Sequence, residues 1–173
     1  MPFDLTTLDE PLKTLAAYDW GADAAPFKAI DAAVIAAHAD KALRAELEKR
    51  FTDLLGGGTT RAAKEYVCRK LMMIGTATSV PALAALLGDS DNSHMARFAL
   101  ERIPVPEAGN ALNKALATVS EPLKVGMISS LAARRDPACV TALTALLKGS
   151  PLLAIPAANA LGSIHSAEAV QAL

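Results

Sequence analysis

The stretch Leu71-Met72-Met73-Ile74-Gly75, followed by Val80-Pro81-Ala82-Leu83 and then Leu86-Leu87, decides the fold. An apolar run stops at a glycine. A second begins a few residues later, with Val80, Leu83 and Leu87 spaced to share one face of a helix. The pattern then returns. Leu71 is followed after 29, 31 and 30 residues by Leu100, Leu131 and Leu161, and Leu83 after the same intervals by Leu112, Leu143 and Leu173. Two registers that keep step over four units mark an internal repeat with a period near 30 residues.

The punctuation repeats as well. Gly75, Gly88, Pro104, Gly149 and Gly162 fall at breaks, where glycine is expected to supply a left-handed helix cap. Asp91 or Asn92, Ser120, Asp136, Ser150 and Ser166 stand where helices start and can accept from free backbone amides. Pro106, Pro122, Pro137 and Pro151 fit first turns, whereas Pro156 lies inside its helix and should kink it. The expected helix pairs are 60–74/78–87, 92–103/106–118, 121–133/137–148 and 151–161/167–173. One such pair cannot cover its own apolar stripe, but stacked pairs share a continuous core. The expected fold is therefore all-α, an α-solenoid of stacked antiparallel helix pairs.

Upstream of Thr59 the pattern loosens. Thr7 and Glu10 match a capping box opening a helix through Tyr18, and helices over 24–37 and 41–55 follow, the latter starting at Asp40. Residues 1–58 thus read as an N-terminal cap helix and a divergent first helix pair, with Phe3, Tyr18 and Trp20 packing the cap. Residues 59–173 read as helix-pair repeats of period about 30 residues, the last one incomplete. Because the sequence stops at Leu173 within a second helix, the reading expects a fragment of a larger protein. Its alternative is an end-to-end contact of the uncapped last repeat with another chain.

Composition agrees with helices and excludes several classes. Of 173 residues, 37 are Ala and 24 Leu, against 7 aromatics, 8 Val and 7 Ile. This favours helix over sheet. A net charge of −1 argues against a general nucleic-acid binder. No positively charged segment leading into an apolar core opens the chain, which gives a cytoplasmic expectation. The uncharged stretch from Gly149 to Ala167 mixes polar and apolar residues and does not read as a membrane span. Cys68 and Cys139 form no CxxC and read as buried thiols.

Val80-Pro81-Ala82-Leu83-Ala84-Ala85-Leu86-Leu87-Gly88-Asp89, with Leu71 and Ile74-Gly75 before it, resembles HEAT-like repeats of the phycobilisome-lyase type. The segments from Ser93 to Pro104 and from Ser130 to Asp136 resemble bacterial multi-repeat HEAT proteins. The resemblance spans roughly residues 59–173 and implies a scaffold whose concave face holds a partner. It carries no catalytic signature.

No chemistry can be assembled from the remaining motifs. His38, His94 and His165 are scattered, and none is followed by Glu as in the iron-holding HEAT-repeat hydroxylases; no HExxH is present. Gly56-Gly57-Gly58-Thr59-Thr60 lacks phosphate-loop spacing and reads as a hinge between helices. Arg61, Lys64, Arg69, Lys70, Arg97, Arg102, Arg134 and Arg135 are interleaved with Glu65, Glu101 and Asp136, and read as a solvated outer face with local ion pairs.

The inner face is expected on second helices, one and five residues after each Val80-type anchor. These positions are Pro81 and Ala85, Asn110 and Lys114, and Thr141 and Ala145, with Gln171 starting the next rung. This small, nearly uncharged ladder suits a helix or extended peptide of a protein partner. The reading is a non-catalytic interaction scaffold with no cofactor, no metal and no membrane partner. Its rivals are a lyase-like or chaperone-like subunit handling a chromophore or cofactor, and a nucleic-acid-binding module.

Overall fold

The computed structural model describes residues 3–173; Met1 and Pro2, which open the expected N-terminal segment, lie outside the described residues. Among the described residues every regular element is helical. The helices are α1 (Asp9–Ala16), α2 (Lys28–Ala36), α3 (Lys41–Gly56), α4 (Arg61–Ile74), α5 (Val80–Ala85) and α6 (Ser93–Arg102). They continue as α7 (Pro106–Thr118), α8 (Glu121–Arg134), α9 (Val140–Leu146), α10 (Pro151–Ile164) and α11 (Ala167–Ala172). Single 3-10 turns lead into α1, α2, α5 and α9.

The recurring leucines explain the packing. Leu71, Leu100, Leu131, Leu161, Leu83, Leu112 and Leu143 are each at most 1% exposed, and each such burial stabilises by about 1.5–3 kcal/mol. Leu173 departs from its register and is 65% exposed. From α4 onward two rows of contacts run along the chain. In one, α4 packs on α6, α6 on α8 and α8 on α10. In the other, α5 packs on α7, α7 on the turn before α9, and α9 on α11. A single cluster of buried side chains extends from Leu8 to Ala169, so α1–α3 belong to the same core.

Several helix ends differ from expectation. The chain enters α1 through a 3-10 turn capped by Asp4, whose carboxylate accepts from the Thr6 amide, while the Thr7 hydroxyl donates to the Asp4 carbonyl. Asp4 lies closer to the first free amides than Thr7, so the Thr7–Glu10 capping box does not form. Asp40, Asp136 and Ser166 do cap their helices or turns, whereas Ser120, Ser150 and Asn92 make no side-chain capping bond. The expected glycine caps are absent too. Gly75 has φ −59° and Gly162 lies inside α10. The left-handed caps fall instead on Arg135 (φ 52°) and His165 (φ 56°), each four residues after a register leucine.

Gly75 is needed for another reason. A Cβ there would stand 2.5 Å from the Leu71 carbonyl oxygen and 2.7 Å from Ile103 Cδ1, so the break after α4 closes tightly on the next unit. Helix α10 runs on through Pro156 to Ile164. In the N-terminal cap, Tyr18 packs edge-on against Phe27 with centroids 5.0 Å apart, and Phe3 is partly buried against the core. Trp20 is exposed and faces the Arg61 guanidinium instead of filling the interior.

Candidate functional site

The six ladder residues divide into two groups. Pro81, Ala85, Asn110, Lys114, Thr141 and Ala145 are all exposed, as expected for positions opposite the buried register residues on each second helix. Asn110 and Lys114 lie in a cleft between α5 and α7. It measures about 700 Å³ and is lined by Ala84, Leu87 and Gly88 at the end of the α5 segment and by Glu107, Asn110, Ala111, Lys114, Ala115 and Thr118 of α7, closing on Val119 and Ser120. Pro81, Ala85, Thr141 and Ala145 stand outside it. The opening follows from helix length. Helix α5 ends at Ala85 while α7 continues to Thr118, so the last turns of α7 have no equal partner alongside. The walls carry alanine and glycine with one acid, Glu107, and one base, Lys114. Small side chains let a guest backbone approach closely, and the two charges can fix its orientation.

The basic residues do not form one solvated face. Arg69 pairs with Glu65, and Lys70 pairs with Asp31 at 2.7 Å while lying over the Tyr66 ring. Arg97, Arg134 and Arg44 turn inward. Arg97 reaches from α6 to α8, donating to the Gly126 carbonyl and the Ser130 hydroxyl, each at 2.9 Å. Arg134 reaches from α8 to the end of α6 and donates to the carbonyls of Leu100 (2.7 Å), Ile103 (2.8 Å) and Val105 (2.8 Å). Arg44 does the same for α4, donating from Nε to the Ile74 carbonyl at 2.6 Å and from Nη2 to the Gly75 carbonyl at 3.1 Å. Helix C-termini leave carbonyls without intrahelical partners and carry partial negative charge, which a guanidinium satisfies on both counts.

Sequence reasoning gave Glu48 no role. This residue of α3 is 2% exposed, and its Oε1 accepts from the Thr76 amide (2.7 Å), the Ser79 amide (3.0 Å) and the Ser79 hydroxyl (2.7 Å). The Thr76 hydroxyl donates to the carboxylate at 2.9 Å. It therefore fastens α3 to the break between α4 and α5. The nearest signal in sequence is the Thr76/Ser79 spacing, which names acceptable donors but no acceptor.

The titratable groups show no catalytic pairing. Burial pushes the Cys68 thiol up to about 12 and the Cys139 thiol up to about 11, far from the thiolate a nucleophile needs. Burial and the neighbouring Asp31 carboxylate raise Tyr66. Burial pulls Asp31 upward, but hydrogen bonds from Lys70 and Tyr66 outweigh it and hold the carboxyl below its ordinary range. His94 is exposed, with Nδ1 3.1 Å from Arg97 Nη2. Among the described residues no three His, Cys, Asp or Glu side chains cluster as metal ligands would. In the Gly56–Thr60 loop the Thr60 hydroxyl caps α4 and bonds the Tyr18 carbonyl, so the loop ties α4 to the end of α1. No described helix is long and apolar enough to cross a membrane. The chain matches no protein-family model and no curated protein.

Proposed function

We propose that the protein is a non-catalytic interaction scaffold, an α-solenoid of HEAT-like helix pairs that holds a helical or extended segment of a protein partner against its second helices. The cleft between α5 and α7 carries this reading. It is about 700 Å³, open, lined by small side chains, and includes the ladder residues Asn110 and Lys114. The two rows of contacts from α4 to α11 support the stacked arrangement, because α4, α6, α8 and α10 pack each on the next, while α5 packs on α7, α7 on the turn before α9, and α9 on α11. On this reading the partner enters beside Ala111 and Ala115, where small side chains permit close packing, and Lys114 meets an acceptor on it. Pro81 and Thr141 extend the contact on either side.

A photo-crosslinking residue at Asn110, compared with one at the exposed Lys13 on α1, tests the proposal. A partner captured from position 110, absent from position 13 and lost when Ala111→Glu fills the cleft, is the expected result. Identical capture from both positions, or capture indifferent to Ala111→Glu, refutes it.

A further inference from the structure

A second cleft, of about 440 Å³, opens between α4 and α6, in the other row of helices. Its apolar lining is Met72, Met73, Met95 and Phe98, which brings three of the chain's five methionines together. Met73 is 46% exposed and Phe98 38%, unusual for large apolar side chains in a fold whose leucines are almost wholly covered. Unbranched thioethers repack around guests of different shape, and a half-exposed aromatic ring offers an anchor.

The surrounding charge selects the guest. Helices α4 and α6 carry six basic residues against two acidic ones in a chain of net charge −1. Of the nearby acids, Glu65 is engaged by Arg69 and Asp31 by Lys70. Arg97 is committed to the Gly126 carbonyl and the Ser130 hydroxyl of α8, whereas Arg102 is exposed and, among the described residues, forms no ion pair. Arg102 lies over the Phe98 ring, 4.6 Å from its centroid, at the edge of the cleft. A nucleic acid would need free aromatic faces for its bases, yet of the two rings in the lining Phe98 lies under Arg102 and His94 has its Nδ1 3.1 Å from Arg97 Nη2. A methionine floor instead matches the apolar stripe of a helix, and the Arg102 guanidinium matches a carboxylate flanking that stripe.

We infer that the α4–α6 cleft docks an acidic amphipathic helix, its apolar residues on the methionines and Phe98 and a flanking carboxylate on Arg102. This surface is separate from the α5–α7 cleft and stands whether or not that cleft holds a partner.

The test is selection of a displayed library of random 16-residue peptides on the full chain, followed by fluorescence anisotropy of the enriched consensus. The expected consensus has Leu, Met or Phe at helical spacing and is enriched in Asp and Glu. Phe98→Ser and Met73→Glu each weaken its binding by about tenfold or more, and Arg102→Glu does so while flattening the salt dependence. Both apolar positions are partly exposed, so the variants should melt like the parent by circular dichroism, and Arg102→Glu probes the cleft without touching its floor. Lys114→Glu, in the other cleft, leaves this affinity unchanged. A consensus without acidic enrichment, binding indifferent to all three variants, or displacement of the peptide by a single-stranded oligothymidylate overturns the inference.

Discussion

Glu48→Ala should destabilise the protein more than any single surface change. The carboxylate is 2% exposed and receives the Thr76 and Ser79 amides and both of their hydroxyls. Hydrogen bonds to a charged group contribute about 1.5–3 kcal/mol each, and a buried donor left without a partner costs about 1–3 kcal/mol. The hydroxyls can turn elsewhere, and the Ser79 hydroxyl already lies 3.1 Å from the Thr76 carbonyl. The Ser79 amide keeps its 3.2 Å bond to the Thr76 carbonyl, but the Thr76 amide cannot turn. One stranded amide, the lost bonds to a charged acceptor and a small cavity put the loss at about 2–4 kcal/mol, a large part of the roughly 5–15 kcal/mol that holds a domain of this kind together. At about 2–4 °C per kcal/mol for a chain of this length, the midpoint falls by roughly 4–16 °C. Glu48→Gln should cost far less, because Oε1 can still accept from both amides and only the charge is lost. Urea titrations followed by circular dichroism give the free energies, and an unchanged slope confirms that the same transition is compared. A Glu48→Ala variant within about 1 kcal/mol of the parent, or one no worse than Glu48→Gln, would refute this account of the α3–α5 junction.

Four further substitutions separate causes that a sequence leaves merged. Gly75→Ala should cost about 1–3 kcal/mol by overpacking, because its Cβ would meet a backbone oxygen at 2.5 Å. Gly162→Ala should gain up to about 1 kcal/mol of helix propensity, since nothing lies within 4 Å of its Cβ; thermal melts in which both shift the same way refute the distinction. Arg135→Gly should stabilise by about 0.5–1 kcal/mol, the relief of a left-handed residue less the extra freedom of unfolded glycine, and a loss of stability would show that the Arg135 side chain contributes something its exposed position does not reveal. Asp31 is held below its ordinary value of 3.8, so its contribution is present above about pH 4 and vanishes as the pH falls through its folded-state value. With the side chain half exposed, that contribution stays below about 1 kcal/mol. Asp31→Asn should therefore shrink the difference in melting temperature between pH 6 and pH 3, and an unchanged difference counts against the Lys70–Tyr66 cradle.

The helices were legible because their signals are local. The repeat register at Leu112 and the proline at 106 place α7 at 106–118, and the structure has Pro106–Thr118. Ladder positions were legible for the same reason, since residues opposite a buried leucine on a short helix must face out. The cleft was not. It depends on α5 stopping at Ala85 where the apolar pattern continues through Leu86 and Leu87, which are held by 3-10-type bonds to Leu83 and Ala84. The arginines were misread because a long side chain can reach a carbonyl on the next unit or extend into water. Which it does is set by a helix end about 30 residues away in sequence, as for Arg134 and Ile103. Glu48 was missed for the same reason.

Those long-range ties answer a problem posed by the composition. An Ala/Leu stripe packed on another Ala/Leu stripe gains nearly the same burial if one helix slides by a turn, because the groups it meets are alike. Guanidiniums and carboxylates are not so tolerant. Arg134 finds the three carbonyls of Leu100, Ile103 and Val105 at one offset of α8 on α6, and one turn away it would be desolvated without acceptors. Arg97 imposes a second condition on the same pair of helices through Gly126 and Ser130. Arg44 and Glu48 impose two on the junction of α3 with α4 and α5. Leucine and alanine thus supply most of the burial, while a few charged side chains, Glu48 buried and Arg44, Arg97 and Arg134 half-buried, select one register among several that burial alone would allow. Among the described residues no side-chain hydrogen bond runs from α4 to α6 across the methionine cleft, so that stretch is held by apolar packing alone.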